Sequence, residues 1–298
     1  MSRTVLLLGT WHRRCGGPYY WRRAFRHAGW DVVGRGPWRA DEPFGSHGRE
    51  PEICQDPIDG AHNLAGTVAP DLVFLCDGGE GYRVAHLPPD VPFVHFSTEG
   101  SNMGWSIGLT PHRYAALMCN GADADVQWLP NAYDTCEHWH SDGALREYDL
   151  VQIASARPAR KCLWAQLAVA ASDLHIRTGD LWGPLYGAAY RHARATWVCT
   201  TLDFVSMRVV EAMAMGCVVI ADRQPSMSTL FTEGEHFIGY DGVPGPHGEN
   251  TPDPQWLVDT ARQLRRDGDG GMAERAWRAV QPHSYLHRVE RVLAEVFG

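Results

Sequence analysis

Short apolar runs, bounded by glycine, proline or acidic residues, alternate along the chain with longer amphipathic stretches. The runs have the length of buried strands and the stretches the length of helices, the pattern of a parallel α/β sheet. The first half predicts strands over Thr4–Leu8, Asp31–Val33, Pro70–Cys76, Val91–Phe96 and Val126–Leu129, with helices over Tyr19–His27 and Arg113–Cys119. The second half predicts strands over Asp149–Ala154, Ile176–Gly179, Trp197–Thr200, Cys217–Ile220 and Phe237–Tyr240. Its helices run from the loop 155–161 through Ala171, then over Leu185–His192, Arg208–Met215, Met227–Phe231, Pro254–Arg266 and Gly271–Val280. Residues 34–66 and 241–254 are polar and rich in glycine and proline, and read as loops. In the tail His283–Phe297, Tyr285, Val289, Val292, Leu293 and Val296 recur at helical spacing and form an apolar stripe.

Composition alters little of this picture. With 298 residues, 44% hydrophobic and 21% charged, the chain is long enough for two domains. No apolar run approaches the ~18 residues of a membrane span, and the apolar core at Thr4–Leu8 is too short for a signal peptide. Eight cysteines without paired spacing fit reduced thiols, so a cytoplasmic location is expected. Charge is more informative. Within a net −8, residues 1–40 carry +7 and residues 41–150 carry −14. Such a basic block either meets an anionic partner or pairs with the acidic block beside it.

Candidate chemistry collects where predicted strands end. The loop Gly9–Pro18 follows the first strand, and the amides of Gly16 and Gly17, with a helix behind them, suit a phosphate, although a Gly-Gly-Pro turn needs no ligand. His95 and Glu99 lie at a strand's carboxyl end; Glu99 is the better candidate for activating a hydroxyl, and His95 fits a structural or a ligand role. Arg157 and Lys161, the only lysine in the chain, sit four apart at a strand-to-helix turn, placed for an anion or as solvated charges. Cys136, His138 and His140 alternate with no second cluster, and Asp123-Ala124-Asp125 precedes a strand, so neither is taken as a metal site. Asp203 and Glu211 are eight positions apart around a helix start, about 2.2 turns. Two such acids suit a polyhydroxyl ligand, since a carboxylate accepts from vicinal hydroxyls; the alternative is an ordinary helix with a solvated Glu.

The run from Asp203 to Asp222 resembles the acid-x7-acid signature of retaining GT-B glycosyltransferases, which move sugars from nucleotide-sugar donors. Its first acid is usually Glu and here is the shorter Asp203. The segment Val126–Asp134, with Trp128-Leu129-Pro130, is similar to the linker of the spore-maturation-type branch, which also carries an arginine three residues before the second acid, as Arg208 does. The resemblance implies an α/β GT-B fold, two Rossmann-like domains facing across a cleft. Residues 1–135 would bind acceptor, 146–282 would bind the nucleotide sugar, and 283–298 would form a helix crossing back to the first domain. It further implies that Glu211 grips the ribose, that Asp203 contacts the donor sugar, and that Arg157 and Lys161 meet the pyrophosphate. Arg208, Gly16 and Gly17 join the donor site, with Tyr186 and Tyr190 bordering the base. The co-substrate is then a nucleotide sugar, first of all a UDP-sugar, with no cofactor and no metal. Acceptor candidates are Arg13, Arg14, His95 and Glu99. Trp11, Tyr19, Tyr20, Trp21, Trp30 and Trp38 interleave with the basic block, which suits a hydroxylated base in DNA, as for phage enzymes acting in a host cytoplasm. A saccharide, protein or small-molecule acceptor is the alternative. A sugar-nucleotide epimerase or a non-catalytic nucleotide-binding module of the same fold is the reading from a different class.

Overall fold

A computed structural model of the chain describes residues 2–9, 17–35, 69–76, 91–97, 116–119, 127–141, 143, 145–154, 158–200, 203–244 and 250–298. It divides into two units, residues 1–130 with 285–298, and residues 131–284.

The first unit is built on β1 (Thr4–Leu8), β2 (Asp31–Arg35), β3 (Leu72–Cys76), β4 (Phe93–Ser97), β5 (Ala116–Cys119) and β6 (Gln127–Trp128), with α1 (Gly17–His27) between β1 and β2. The strands are parallel in the order β2-β1-β3-β4-β5-β6. Val5 to Leu8 and all of β3 are buried, which explains why these strands read as unbroken apolar runs. α1 buries Tyr20, Trp21, Ala24 and Phe25. The Trp21 ring lies 4.5 Å from Phe74 and 5.3 Å from Phe96. Gly9 has no room for a side chain, because a Cβ there would stand 2.7 Å from Pro18 Cγ, where the end of β1 meets the start of α1. One expectation fails here. Residues 116–119 form a strand rather than part of a helix, since pairing with β4 outweighs the helix preference of Ala-Leu-Met.

The second unit contains β7 (Tyr148–Ile153), α2 (Pro158–Ala170), β8 (Ile176–Gly179), α3 (Pro184–Arg191), β9 (Ala193–Val198), α4 (Met207–Ala214), β10 (Val218–Asp222), α5 (Pro225–Leu230) and β11 (Phe237–Tyr240). The antiparallel pair β12 (Val243–Pro244) and β13 (Asn250–Thr251) follows, then α6 (Pro254–Asp267) and α7 (Met272–Val280). The five main strands are parallel in the order β8-β7-β9-β10-β11. Strand order therefore reverses at β7 and β9, the position where open α/β sheets bind ligands. Leu150, Trp197, Ile220, Leu257 and Ala261 belong to its apolar core. β9 starts at Ala193, four residues before the expected Trp197, and residues 241–254 hold a small hairpin rather than a bare loop.

The last helix, α8 (Tyr285–Phe297), belongs to the first unit. Tyr285 sits 5.4 Å from Tyr20 and 5.3 Å from Trp21, ring to ring. The buried Arg288 donates from Nε to the Pro130 carbonyl at 2.8 Å. Among the described residues no helix is long and apolar enough to cross a membrane.

Candidate functional site

The second acid of the motif lies on α4, whose end is set by Gly216. That glycine has φ +73, and its amide bonds Met213 O at 3.0 Å while the Cys217 amide bonds Ala212 O at 3.0 Å, the pairing of a glycine-terminated helix. A Cβ on Gly216 would stand 2.3 Å from the His140 ring, so both backbone conformation and close approach demand glycine.

Arg208, near the start of α4, donates from Nε to the Ile153 carbonyl at 2.9 Å and ties the helix to the carboxyl end of β7. Glu211 lies less than one turn further on and is only 3% exposed. Its Oε2 accepts the hydroxyl of Tyr186 from α3. Its Oε1 faces His138 Nε2 at 3.5 Å. His138 is fixed by the segment that opens the second unit: Asp134 Oδ1 accepts the amides of Cys136 and Glu137 at 2.9 and 3.0 Å. The His138 amide donates to Asp134 O at 2.9 Å, and the Asp134 amide donates to His138 Nδ1 at 3.0 Å. Since Nδ1 accepts, the neutral ring carries its hydrogen on Nε2, pointed at Glu211.

Burial pushes the Glu211 carboxyl up to about 7, against the lowering effect of the Tyr186 hydroxyl and the Arg208 charge, with Asp134 adding to the rise. Burial, then the charge of Glu211, raises the Tyr186 phenol well above its ordinary range, so it remains a donor. The Tyr186 and Tyr190 rings lie 4.8 Å apart. The result is a buried carboxyl poised near neutrality at the sheet's reversal point, an arrangement that strongly perturbed functional groups share.

A second polar cluster stands at the carboxyl end of β10. Asp222 Oδ2 accepts from Thr200 Oγ1 at 2.5 Å, Gln224 Nε2 at 2.5 Å and Asn250 Nδ2 at 3.3 Å. It ties the ends of β9 and β10 to the small hairpin. The expected strand stops at Ile220, two residues short of the observed end at Asp222, and no local pattern in the sequence signals this cluster.

The remaining candidates lie on other elements. Asp203 is exposed, and its Oδ1 accepts the Ser226 amide at 3.0 Å in the first turn of α5. Lys161 is exposed in the first turn of α2. In the first unit, Gly17 is the first residue of α1. His95 lies on β4, where burial lowers its imidazole to about 4 and keeps it neutral. Arg13, Arg14, Gly16, Glu99 and Arg157 lie outside the described residues. Cys136, His138 and His140 diverge: His138 turns to Glu211, and His140 packs 5.1 Å from the Trp277 ring. The tie between His138 and Glu211 spans 73 positions and leaves no spacing signal in the sequence. Tyr186, expected beside a base, bonds the acid.

Residues 150–294, just under half of the chain, match the family model described as Glycosyl transferase-like. The sucrose-phosphate synthase of Thermosynechococcus elongatus superposes with TM-score 0.65 at 12% identity, covering 99% of each chain. HepE of Anabaena, solved in complex with UDP-glucose, gives TM-score 0.66 at 12% identity over 98% of this chain and 99% of its own. AviGT4, a glycosyltransferase involved in avilamycin A biosynthesis, gives 0.63 at 14% identity over 99% and 97%. The fold is GT-B. Within this GT-B chain, Glu211, Arg208, Tyr186 and His138 all lie in the unit that carries most of the family match. A search of curated proteins by sequence found no match.

Proposed function

We propose that the chain is a glycosyltransferase that takes its sugar from a nucleotide sugar, with a UDP-sugar as the donor of first choice, and transfers it with retention of configuration to an acceptor hydroxyl. The observation that carries this reading is the buried Glu211 carboxyl, on the helix after β9 and beside the carboxyl end of β7, in a chain with the GT-B fold. Its position in the acid-x7-acid motif gives it the ribose hydroxyls, which it accepts as hydrogen bonds once ionised. UDP-glucose is the ligand of the HepE structure and hence the first donor to try.

In the reaction the bond between the sugar C1 and the β-phosphate oxygen breaks, the acceptor oxygen bonds C1, and the acceptor proton passes to the departing phosphate. Negative charge grows on the diphosphate, so stabilisation must act there. Lys161, in the first turn of α2, and Arg157 just before that helix supply it. Asp203 keeps one carboxylate oxygen for the donor sugar, its other being held by the Ser226 amide. No cofactor and no metal enter this scheme. The spore-maturation branch supplies the precedent for Arg208 beside the second acid.

For the acceptor, a saccharide, protein or small molecule has the better support. Tyr20, Trp21 and Trp30, three of the aromatics that could stack on a nucleic-acid base, are buried in the first unit's core, and Arg22 is 7% exposed. A hydroxylated base in DNA remains an outcome of the test, for which activity on duplex acceptor must fall steeply with salt. The test is incubation with a panel of nucleotide sugars and acceptors, followed by assay of UDP release and of the anomeric configuration by NMR. Release of UDP with the α-configuration kept supports the proposal. An altered sugar still attached to UDP points to an epimerase, and no turnover of any donor, with no nucleotide binding, sinks the assignment.

A further inference from the structure

If Glu211 is to accept ribose hydroxyls, something must first leave it. The residue is 3% exposed and both carboxylate oxygens are already faced by donors, Oε2 by the Tyr186 hydroxyl and Oε1 by His138 Nε2. The two donors are not held alike. His138 is buried and locked at Nδ1 by the Asp134 amide, within a turn whose other amides are satisfied by Asp134 Oδ1. Tyr186 stands third in α3, behind Gly179 at φ +137 and Gly183 at φ +57.

Among the described residues, chain neighbours aside, no atom lies within 4 Å of where a Cβ on either glycine would be, so their positive φ is what calls for glycine. Pro184 and Leu185, which begin the helix, are exposed, Leu185 to 62%. The buried residues of α3, Gly187, Ala189 and Tyr190, lie in its later part, and in its first turn it is the Tyr186 phenol alone that reaches inward, against Glu211 and the Tyr190 ring. The first turn of α3 can therefore move on its glycine-bounded approach while its last turn stays docked.

We propose that Tyr186 is a gating residue: in the nucleotide-free protein its hydroxyl occupies the place on Glu211 that a ribose hydroxyl takes, and nucleotide binding displaces it while His138 stays to hold the carboxylate in position. The inference rests on the reading of Glu211 as the ribose acceptor. Its role is positioning, because the phenol touches the acid and not the reacting atoms. It also confers selectivity, since a ligand lacking ribose hydroxyls gains nothing in exchange for the hydrogen bond it must break.

The test is Tyr186→Phe, which keeps the ring against Tyr190 and removes only the competing donor. Where the open state is about a tenth of the population, removing the competitor tightens apparent binding about tenfold. Titration of UDP into the variant should accordingly give a dissociation constant fivefold to tenfold lower than wild type, by this population argument. The donor KM should fall with it, by a larger factor than any change in kcat. Equal or weaker UDP binding overturns the gate and leaves Tyr186 a structural residue. Should the variant fail to fold, hydrogen exchange on the wild type decides: UDP must speed amide exchange over Gly183–Tyr186, and slower or unchanged exchange there overturns the proposal. Glu211→Gln separates the two levels. Wild-type UDP affinity in that variant removes the reading of Glu211 itself, whereas loss of affinity there with an inert Tyr186→Phe removes only the gate.

Discussion

Replacing Glu211 with glutamine should make the protein more stable and less able to bind nucleotide. Burial holds the native carboxyl at about 7, against 4.5 for the free side chain. A native pKa above the unfolded one means that the folded protein binds more protons between those values. Stability contributed by the carboxyl is thus lost as pH rises through that window, and the full cost is present above it. The difference of about 2.5 units corresponds to about 3 kcal/mol. Glutamine cannot ionise and carries no such cost; its oxygen can accept from His138 Nε2 and its amide can donate to the Tyr186 hydroxyl. At pH 8 the variant should therefore melt roughly 6–12 °C above wild type, taking 2–4 °C per kcal/mol for a unit of this size. At pH 5, where the folded carboxyl is protonated and the unfolded one still largely ionised, most of the difference should be gone, leaving about 2–3 °C. UDP affinity should fall at least tenfold at pH 8, about the worth of a charge-assisted hydrogen bond. Differential scanning calorimetry across pH 5–8 checks the first half and titration calorimetry the second. A variant that melts lower than wild type at pH 8, or with a pH-independent difference, would show that the carboxylate is comfortably solvated or structural.

Other consequences concern the same unit. Wild-type affinity for UDP should rise about tenfold from pH 6 to pH 8 as Glu211 ionises, in line with a carboxyl near 7; titrating Glu211→Gln alongside subtracts ionisation of the nucleotide itself, and parallel curves would count against the assignment. Gly216→Ala must force a Cβ into the His140 ring at φ +73, and should cost about 2 kcal/mol, read as a lower melting temperature. Lys161→Ala, at an exposed position, should leave stability within about 0.5 kcal/mol while lowering donor turnover at least tenfold, as loss of one preorganised charge does. Unchanged turnover would remove Lys161 from the diphosphate and leave Glu211 untouched.

Much of the architecture was readable because parallel strands are buried on both faces. Val5–Leu8, Leu72–Cys76 and Val218–Ile220 each appear as an unbroken apolar run. The end of α4 was readable because Gly216 answers a backbone requirement. β9 was read late because its first residues, Ala193-Arg194-Ala195-Thr196, carry little apolar bulk. In the fold both alanines are fully buried, the Thr196 hydroxyl is satisfied by Val151 O at 2.7 Å, and Arg194 Nε lies 3.5 Å from Asp149. Residues 116–119 misled in the opposite sense, since good helix formers were drafted into a strand by tertiary pairing.

The site was legible in part and for similar reasons. Glu211 and Arg208 announce themselves through local spacing on one helix. His138 and Tyr186 reach Glu211 from positions far away in sequence, and a contact made only by folding has no local signature. Asp222 was overlooked because a carboxylate after Ile220-Ala221 reads as the exit from a strand, whereas three side-chain donors let it stay inside one.

The most direct measurement compares UDP with 2′,3′-dideoxy-UDP binding to the wild-type protein at pH 8. If Glu211 holds the ribose, UDP binds and loss of both hydroxyls weakens binding at least tenfold, because a buried carboxylate is then left without its ligand partners. Equal affinity for the two nucleotides, or no binding of either, would contradict the placement of a nucleotide sugar on Glu211.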